Sequence, residues 1–281
     1  MATSSGVKNV MINRPPRASQ ELTDAEVQAF ASQAFIQESL KKPTEPKHVL
    51  SFFFGEDFIH GKTTKDKMRS GDCLKTMPKF WFQARNSSCY DQLCSKFSDL
   101  VHKAGTKALK GSTTWNDTVD GKIAQMILCD QLARNIWRGT KEAYAYEAIA
   151  KDISRELAIA LVSSAPTIPE MPTLGPSVDG LDHGEVYPPY LAFILVALMH
   201  SEVIEDHDLC DELFQLAIET TQPHLHVYFE GEQKVAREHR VVLEAFGRYP
   251  YRNAVLGRKT TPEEAAWLAK KENMPDWAKS Q

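Results

Sequence analysis

Charged and amide side chains recur along one predicted helix face between Asp130 and Arg138. Asp130, Arg134 and Arg138 follow one another at intervals of four residues, so they share a helix face. Gln131 and Asn135 flank that stripe and add amide groups beside the arginines. Guanidinium and amide groups together suit the bidentate binding of a carboxylate or a phosphate. We therefore predict that these five residues bind substrate, although an exposed row of ion pairs would show the same spacing.

Two histidines and one glutamate are the candidate groups for proton transfer. His200 and Glu202 follow the most apolar segment of the chain, where burial would shift the pKa of each group. His239 lies among Val235 and Val242 at helical spacing, so its imidazole is predicted to face inward. A single inward histidine is more often a core residue with a satisfied hydrogen bond, but two inward histidines favour a shared cavity. We predict catalytic roles for His200, Glu202 and His239 in that cavity.

A turn that follows the His239 helix carries the third group of candidates. Arg248, Arg252 and Arg258 fall close together around Pro250, which forces a non-helical path. Arginine in a rigid turn suits the recognition of anions, so Arg248, Arg252 and Asn253 are predicted to bind substrate. The alternative is a solvated turn whose arginines neutralise the C-termini of neighbouring helices.

Motifs that would specify a metal site or a nucleotide site are missing. The five cysteines include no Cys-x-x-Cys pair, which argues against a structural zinc site and against a disulfide framework. His224 and His226 could present two imidazoles on one side of an extended stretch, but the sequence offers no third ligand nearby. Phosphate-loop, dinucleotide-binding and serine-hydrolase motifs are also absent. The sequence therefore assigns no metal and leaves any cofactor unknown.

The overall composition is that of a soluble globular protein and narrows the classes of partner. The 281 residues are 42% hydrophobic and 25% charged, and these ordinary values exclude collagen-like, disordered and channel-forming chains. A formal net charge of −4 gives no global basic field for nucleic acid or for an anionic membrane. The longest apolar run is about half as long as a membrane span, and the N-terminus lacks a secretory signal. We expect a cytoplasmic protein that binds neither nucleic acid nor membranes.

The elements that must position these candidates are predicted to be helices throughout the chain. After a flexible leader over residues 1–22, Thr23 and Glu26 have the spacing of a capping box. An extra N-terminal helix is therefore placed within residues 23–45. Stacked antiparallel helix pairs are predicted to follow in a single all-α domain over residues 46–272.

Several shorter features define the interior of that domain. The segment from Tyr190 to Val203 is apolar nearly all round, which is typical of a helix at the centre of a helical array. Gly139 is predicted to separate two antiparallel helices, and Asp206 to cap the helix that follows the apolar one. A proline-rich connection is predicted over residues 163–189, and a tail over residues 273–281.

A series of motifs with unusual composition occurs in a fixed order along the chain. The motifs are Trp81-Phe82, Tyr90-Asp91, Leu128-Cys129-Asp130-Gln131, Arg134-Asn135, Arg138-Gly139, Met199-His200-Ser201-Glu202, His239, Phe246-Gly247-Arg248, Pro250, Arg252-Asn253, Leu256-Gly257-Arg258 and Thr261-Pro262-Glu263-Glu264. The series resembles the domain-of-unknown-function 924 family. That resemblance implies an all-α fold similar to tetratricopeptide repeats, with the motif residues on one side, and it supplies no established reaction. This chain differs from the family pattern at Leu132-Ala133, Ala197 and Tyr251, so a role for histidine in the last turn does not carry over.

Two functions of different classes fit these predictions, and whether the chain is an enzyme stays open. In the first, it is a small-molecule enzyme or ligand-binding protein whose arginines hold an anion while the two histidines and Glu202 transfer protons. In the second, it is a tetratricopeptide-like scaffold whose arginines clamp an acidic peptide or C-terminus. The concentration of polar residues in three motifs favours the first function.

Overall fold

Helices make up the fold throughout the residues that the structure describes. The computed structural model describes residues 22–63, 65–82, 88–163, 186–270 and 274–279, and no β-strand occurs among them. The all-α prediction is therefore confirmed. The α-helices are α1 (Asp24–Ala31), α2 (Ala34–Lys41), α3 (Pro46–Phe54), α4 (Lys65–Ser70), α5 (Cys73–Thr76), α6 (Pro78–Phe82), α7 (Ser88–Cys94), α8 (Ser98–Gly105), α9 (Thr113–Asn116), α10 (Val119–Ile127), α11 (Ala133–Ile136), α12 (Glu147–Ser163), α13 (Pro188–Met199), α14 (Ile204–Thr220), α15 (Pro223–Phe246), α16 (Pro262–Ala269) and α17 (Asp276–Lys279).

The N-terminal region forms two helices, so the prediction of one extra helix over residues 23–45 is wrong. The capping box itself is present, because Thr23 caps α1 and its N–H donates to the carboxylate of Glu26 at 2.9 Å. Gln33 then adopts an extended backbone with φ −65° and ψ 133°, which ends α1 before α2 begins. The Phe30 ring lies 5.7 Å from that of Phe52 in α3, so α1 is part of the core.

Helix α13 occupies the centre of the helical array. All of its residues are buried, and it contacts α10, α12, α14 and α15. The ring of Phe193 in α13 packs edge-on against that of Trp81 in α6, with 4.7 Å between centroids. Because only short connections join α13 to α14 and α14 to α15, these neighbours run antiparallel. A tetratricopeptide-like repeat of these pairs stays a prediction.

The segment that carries Asp130 is a continuous helical path with one widened turn. A π-helical turn over Leu128–Leu132 joins α10 to α11. π-turns of this kind are frequently found at functional sites. Trp137 leaves the helical conformation with φ −116° and ψ 37°, and Gly139 follows with φ 75°. Arg138 therefore lies beyond the end of the helix that carries Arg134.

Two local predictions in the C-terminal half are wrong. Helix α14 begins before Asp206, so this side chain lies inside the helix and accepts two hydrogen bonds from Arg155 at 2.8 and 2.9 Å. Helix α15 begins at Pro223, so His224 and His226 lie in its first turns and not in an extended stretch. The Nε2 of each imidazole contacts a backbone carbonyl, at 2.9 Å and 3.0 Å respectively.

Parts of three predicted regions lie outside the described residues. These parts are residues 1–21 of the leader, residues 164–185 of the proline-rich connection, and residues 273, 280 and 281 of the tail. The described part of the tail contains α17. Within the described part of the chain, no helix is both long and apolar enough to cross a membrane.

Candidate functional site

Four segments that are distant in sequence bring charged side chains together at one end of α13. Asp130 and Arg134 come from the π-turn and α11, and His200 is the C-cap residue of α13. Glu147 is the first residue of α12, and Arg252 ends a 3₁₀-helical turn that follows α15. We call Asp130, Arg134, Glu147, His200 and Arg252 the central cluster.

Asp130 and His200 form the pair at the heart of the cluster. Nδ1 of His200 lies 2.9 Å from Oδ1 and 3.0 Å from Oδ2 of Asp130. Nε of Arg134 donates to the same Oδ1 at 3.2 Å, and the side-chain amide of Gln131 donates to Oδ2. Asp130 is only 3% exposed, so its carboxylate depends on these donors for its solvation.

The protonation of this pair follows from its surroundings. Burial lowers the pKa of His200, Arg134 and Arg252 lower it further, and Asp130 opposes the shift. Burial alone would raise the pKa of Asp130, but His200, which is protonated in the acidic range where this carboxyl group titrates, and Arg134 outweigh burial and lower that pKa. At neutral pH the carboxylate is therefore ionised and the imidazole neutral, with its Nδ1–H donating to Asp130.

That arrangement leaves Nε2 of His200 as a proton acceptor. Within the described chain this nitrogen makes no hydrogen bond, and the side chain is 19% exposed. A carboxylate that fixes the imidazole tautomer and orients the ring is the arrangement used for general acid–base chemistry.

Two arginines converge on Glu147. Nη2 of Arg134 donates to one carboxylate oxygen of Glu147, and Nη1 of Arg252 donates to the other at 3.1 Å. Nη2 of Arg252 also donates to the backbone carbonyl of His200 at 3.1 Å, which ties the turn after α15 to the end of α13. The Tyr144 ring lies 4.9 Å from the guanidinium carbon of Arg134 and 5.1 Å from that of Arg252. The two cations are therefore held by two carboxylates and an aromatic face.

His239 lies next to the central cluster and is confirmed as an inward-facing residue. It is 3% exposed, and its ring centroid lies 5.9 Å from that of His200. Its Nδ1 lies 2.9 Å from the backbone carbonyl of Val235, and Trp277 of α17 stacks on the ring with 3.6 Å between centroids. Burial and, next, the neighbouring His200 hold the pKa of His239 well below its usual value, so the ring is neutral.

Three other predicted residues lie in a neighbouring network. The carboxylate of Glu202 accepts hydrogen bonds from Arg258 at 2.7 and 3.1 Å and from a backbone N–H in the turn at 2.8 Å. Arg248 donates to Glu264 at 2.6 and 2.8 Å, and Asn253 donates to it at 3.1 Å. The hydrogen bonds from Arg248 come first among the interactions that lower the pKa of Glu264 to about 2. These contacts fix the turn and α16, which hold Arg252 in place.

Asn135 and Arg138 interact with α7 and not with the central cluster. Arg138 donates to both carboxylate oxygens of Asp91 in α7 at 3.1 Å, and to the side-chain oxygen of Asn135 at 2.8 Å. The predicted stripe is therefore divided: Asp130, Gln131 and Arg134 join His200, whereas Asn135 and Arg138 join α7.

Several residues of the site were not predicted from the sequence. Glu147 bridges two arginines, yet it is 105 positions from Arg252, and helical spacing gives no signal over such a separation. Tyr144 and Trp277 cover the cations and His239, and their residue types alone predict only core packing. Among the described residues, no group of three histidine, cysteine, aspartate or glutamate side chains is arranged to hold a metal ion.

Comparison with known proteins places the chain in a family. The chain belongs to the family described as "Bacterial protein of unknown function (DUF924)", whose model matches residues 49–272. The order of motifs in the sequence predicted this family. A solved structure of a protein of unknown function from Agrobacterium tumefaciens is 26% identical, with a TM-score of 0.44, and the similarity covers 71% of this chain and 98% of that one. Among curated proteins, none matches the chain. The family match ends before α17, so Trp277 is contributed by a segment outside it.

Proposed function

We propose that this DUF924 protein is an enzyme in which neutral His200, oriented by Asp130, accepts a proton from a small substrate that carries an anionic group. The observation that carries the proposal is the hydrogen bond between buried Asp130 and partly exposed His200, at 2.9 Å. Arg134 and Arg252 are the cations nearest to that pair and would hold the anionic group. His239 is a neutral neighbour, and Glu202 is a positioning residue that anchors the turn.

The alternative, a scaffold that clamps an acidic peptide, has less support. Arg138 and Arg248, whose side chains are the more exposed, already pair with Asp91 and Glu264, whereas Arg134 and Arg252 are mostly buried. Arg252 is also 2% exposed, so an extended peptide does not reach its guanidinium from the surface.

The first experiment is a turnover screen. The compounds are small carboxylates and phosphates that carry either a hydrolysable bond or an acidic proton. Replacing His200 with asparagine should lower turnover by about 10²–10⁴-fold, because that is the usual contribution of a general acid or base. Asp130→Asn should lower turnover as well, since the amide no longer fixes the imidazole tautomer. Circular dichroism of each variant verifies that the fold is retained.

His60 provides a matched control. Its Nδ1 lies 3.0 Å from Oδ1 of Asp57, the same kind of contact as in the His200 pair, but the His60 side chain is 45% exposed. His60→Asn should leave turnover unchanged. Full activity in the folded His200→Asn variant would refute the proposed role.

The pH profile gives a second measure of the same role. A general base works in its neutral form, so turnover should fall on acidification, with a midpoint below the ordinary histidine value of 6.5 because the pKa of His200 is lowered. A midpoint above that value would contradict the proposed surroundings of His200.

A further inference from the structure

The carboxylate of Glu147 occupies the position that a bound anion would take between two guanidinium groups. Each of its oxygens accepts a hydrogen bond from a different arginine, one from Arg134 and the other from Arg252. Arg134 also donates to Oδ1 of Asp130, the oxygen that contacts Nδ1 of His200. A group in the position of the Glu147 carboxylate is therefore separated from the Asp130–His200 pair by one guanidinium.

Exposure within the cluster differs from residue to residue. The side chains of Arg252 and Asp130 are 2% and 4% exposed, and that of Arg134 is 11% exposed. The Glu147 side chain is 24% exposed, and Glu147 is the first residue of α12. It is thus the carboxylate of the cluster that can move into water without taking a buried charge with it.

Charge counting identifies the kind of anion that fits. Arg134 and Arg252 carry two positive charges and Asp130 carries one negative charge, so one further negative charge balances the buried set. A carboxylate supplies one charge and two coplanar oxygens, which match the two donors. A phosphate dianion would leave an excess negative charge in a mostly buried site.

We propose that the space between Arg134 and Arg252 is a binding site for the carboxylate group of a small substrate, and that Glu147 fills it until such a ligand displaces it. This inference rests on the proposed function and names the substrate class for that site. Glu147 then protects the site against simple anions, because a tethered carboxylate competes at an effective concentration in the millimolar range.

The test uses acetate, which has the size of the group that Glu147→Ala removes. Acetate is titrated at constant ionic strength with sodium chloride, and binding is followed by thermal shift and by calorimetry. The control is Asp91→Ala, since the Asp91 side chain is also 24% exposed and its loss frees Arg138 in the same way. Acetate should bind Glu147→Ala at least about tenfold more tightly than it binds Asp91→Ala or the unchanged protein.

Two further variants and a second anion test whether acetate occupies the position of the Glu147 carboxylate. Arg134→Gln added to Glu147→Ala should abolish acetate binding, and Glu147→Gln should not bind acetate because the amide still fills the space. Equal acetate binding by Glu147→Ala and Asp91→Ala would overturn the proposal. Tighter binding of inorganic phosphate than of acetate by Glu147→Ala would overturn the choice of carboxylate.

The acetate test remains decisive even if Glu147→Ala does not fold, and it does not require a known substrate. If Glu147→Ala is unfolded in chloride, circular dichroism should show refolding by acetate, and the absence of refolding would overturn the proposal. Because acetate binding needs no reaction, an acetate site together with an active His200→Asn variant refutes only the proposed function. Loss of activity in His200→Asn without an acetate site refutes only the present inference.

Discussion

Acidification should destabilise the fold through His239, by an amount that follows from its burial. The imidazole is 3% exposed and its pKa lies well below the usual 6.5, whereas in the unfolded chain it has that usual value. As pH falls through this range, the unfolded chain binds a proton and the native protein does not, so stability decreases. Between about pH 7.5 and about pH 5.5 one such histidine lowers the free energy of unfolding by about 1.4 kcal/mol.

The variant His239→Phe isolates this effect because phenylalanine still stacks on Trp277 but does not titrate. Urea unfolding followed by circular dichroism gives the free energy of unfolding of each protein at both pH values. The loss on acidification should be about 1.4 kcal/mol smaller in His239→Phe than in the unchanged protein. His200 and His207 also have lowered pKa values and add to the loss in both proteins, so the difference between the proteins reports His239.

The reasoning is refuted if His239→Phe loses as much stability as the unchanged protein between the two pH values. Such a result would mean that the native protein accepts a proton at His239, in spite of its burial and of the nearby Arg252 and His200.

Two further predictions concern the residues that build the site and its support. Arg252→Met should lower the free energy of unfolding by about 1.5–3 kcal/mol, since it removes a hydrogen bond to the carboxylate of Glu147 and a donor to the carbonyl of His200. Urea unfolding measures this loss, and a change below about 1 kcal/mol would contradict the assigned contacts. Gly121→Ala should destabilise by about 3 kcal/mol, because a Cβ there would lie 2.3 Å from the backbone oxygen of Thr114. Thermal unfolding should show a smaller loss, about 1 kcal/mol, for Gly139→Ala, where the added atom meets open space, and equal losses would contradict this explanation.

Local patterns predicted the elements well, because helix caps and apolar faces depend on residues a few positions apart. The capping box at Thr23 and the burial of all of α13 follow from the sequence in this way. The inward direction of His239 has the same origin. Helical spacing misplaced Arg138 because the helix ends at Ile136, and a face defined by intervals of four ends with it.

Which residues meet in the site could not be predicted, because their contacts join segments that are far apart in the sequence. Asp130 and His200 are 70 positions apart, and Arg252 is 105 positions from Glu147. The sequence identified residue types suited to anion binding and proton transfer, but their partners are chosen by the packing of α12, α13 and α15 around the π-turn. The predicted stripe was divided for this reason, and Glu147 was missed.

Stability alone does not explain the charged residues of the central cluster. Removing the arginines and carboxylates from water has an unfavourable solvation free energy, which their mutual attraction only partly offsets. Apolar side chains of similar volume often stabilise a protein at least as well. The cluster nevertheless directs its hydrogen bonds toward one result: Arg134 and Gln131 hold Asp130, Asp130 holds Nδ1 of His200, and Arg252 holds the His200 backbone. Each of these contacts restricts the position of the His200 ring, whose Nε2 accepts no hydrogen bond within the described chain. A set of buried charges that converges on one partly exposed imidazole supports the proposal that His200 takes part in proton transfer.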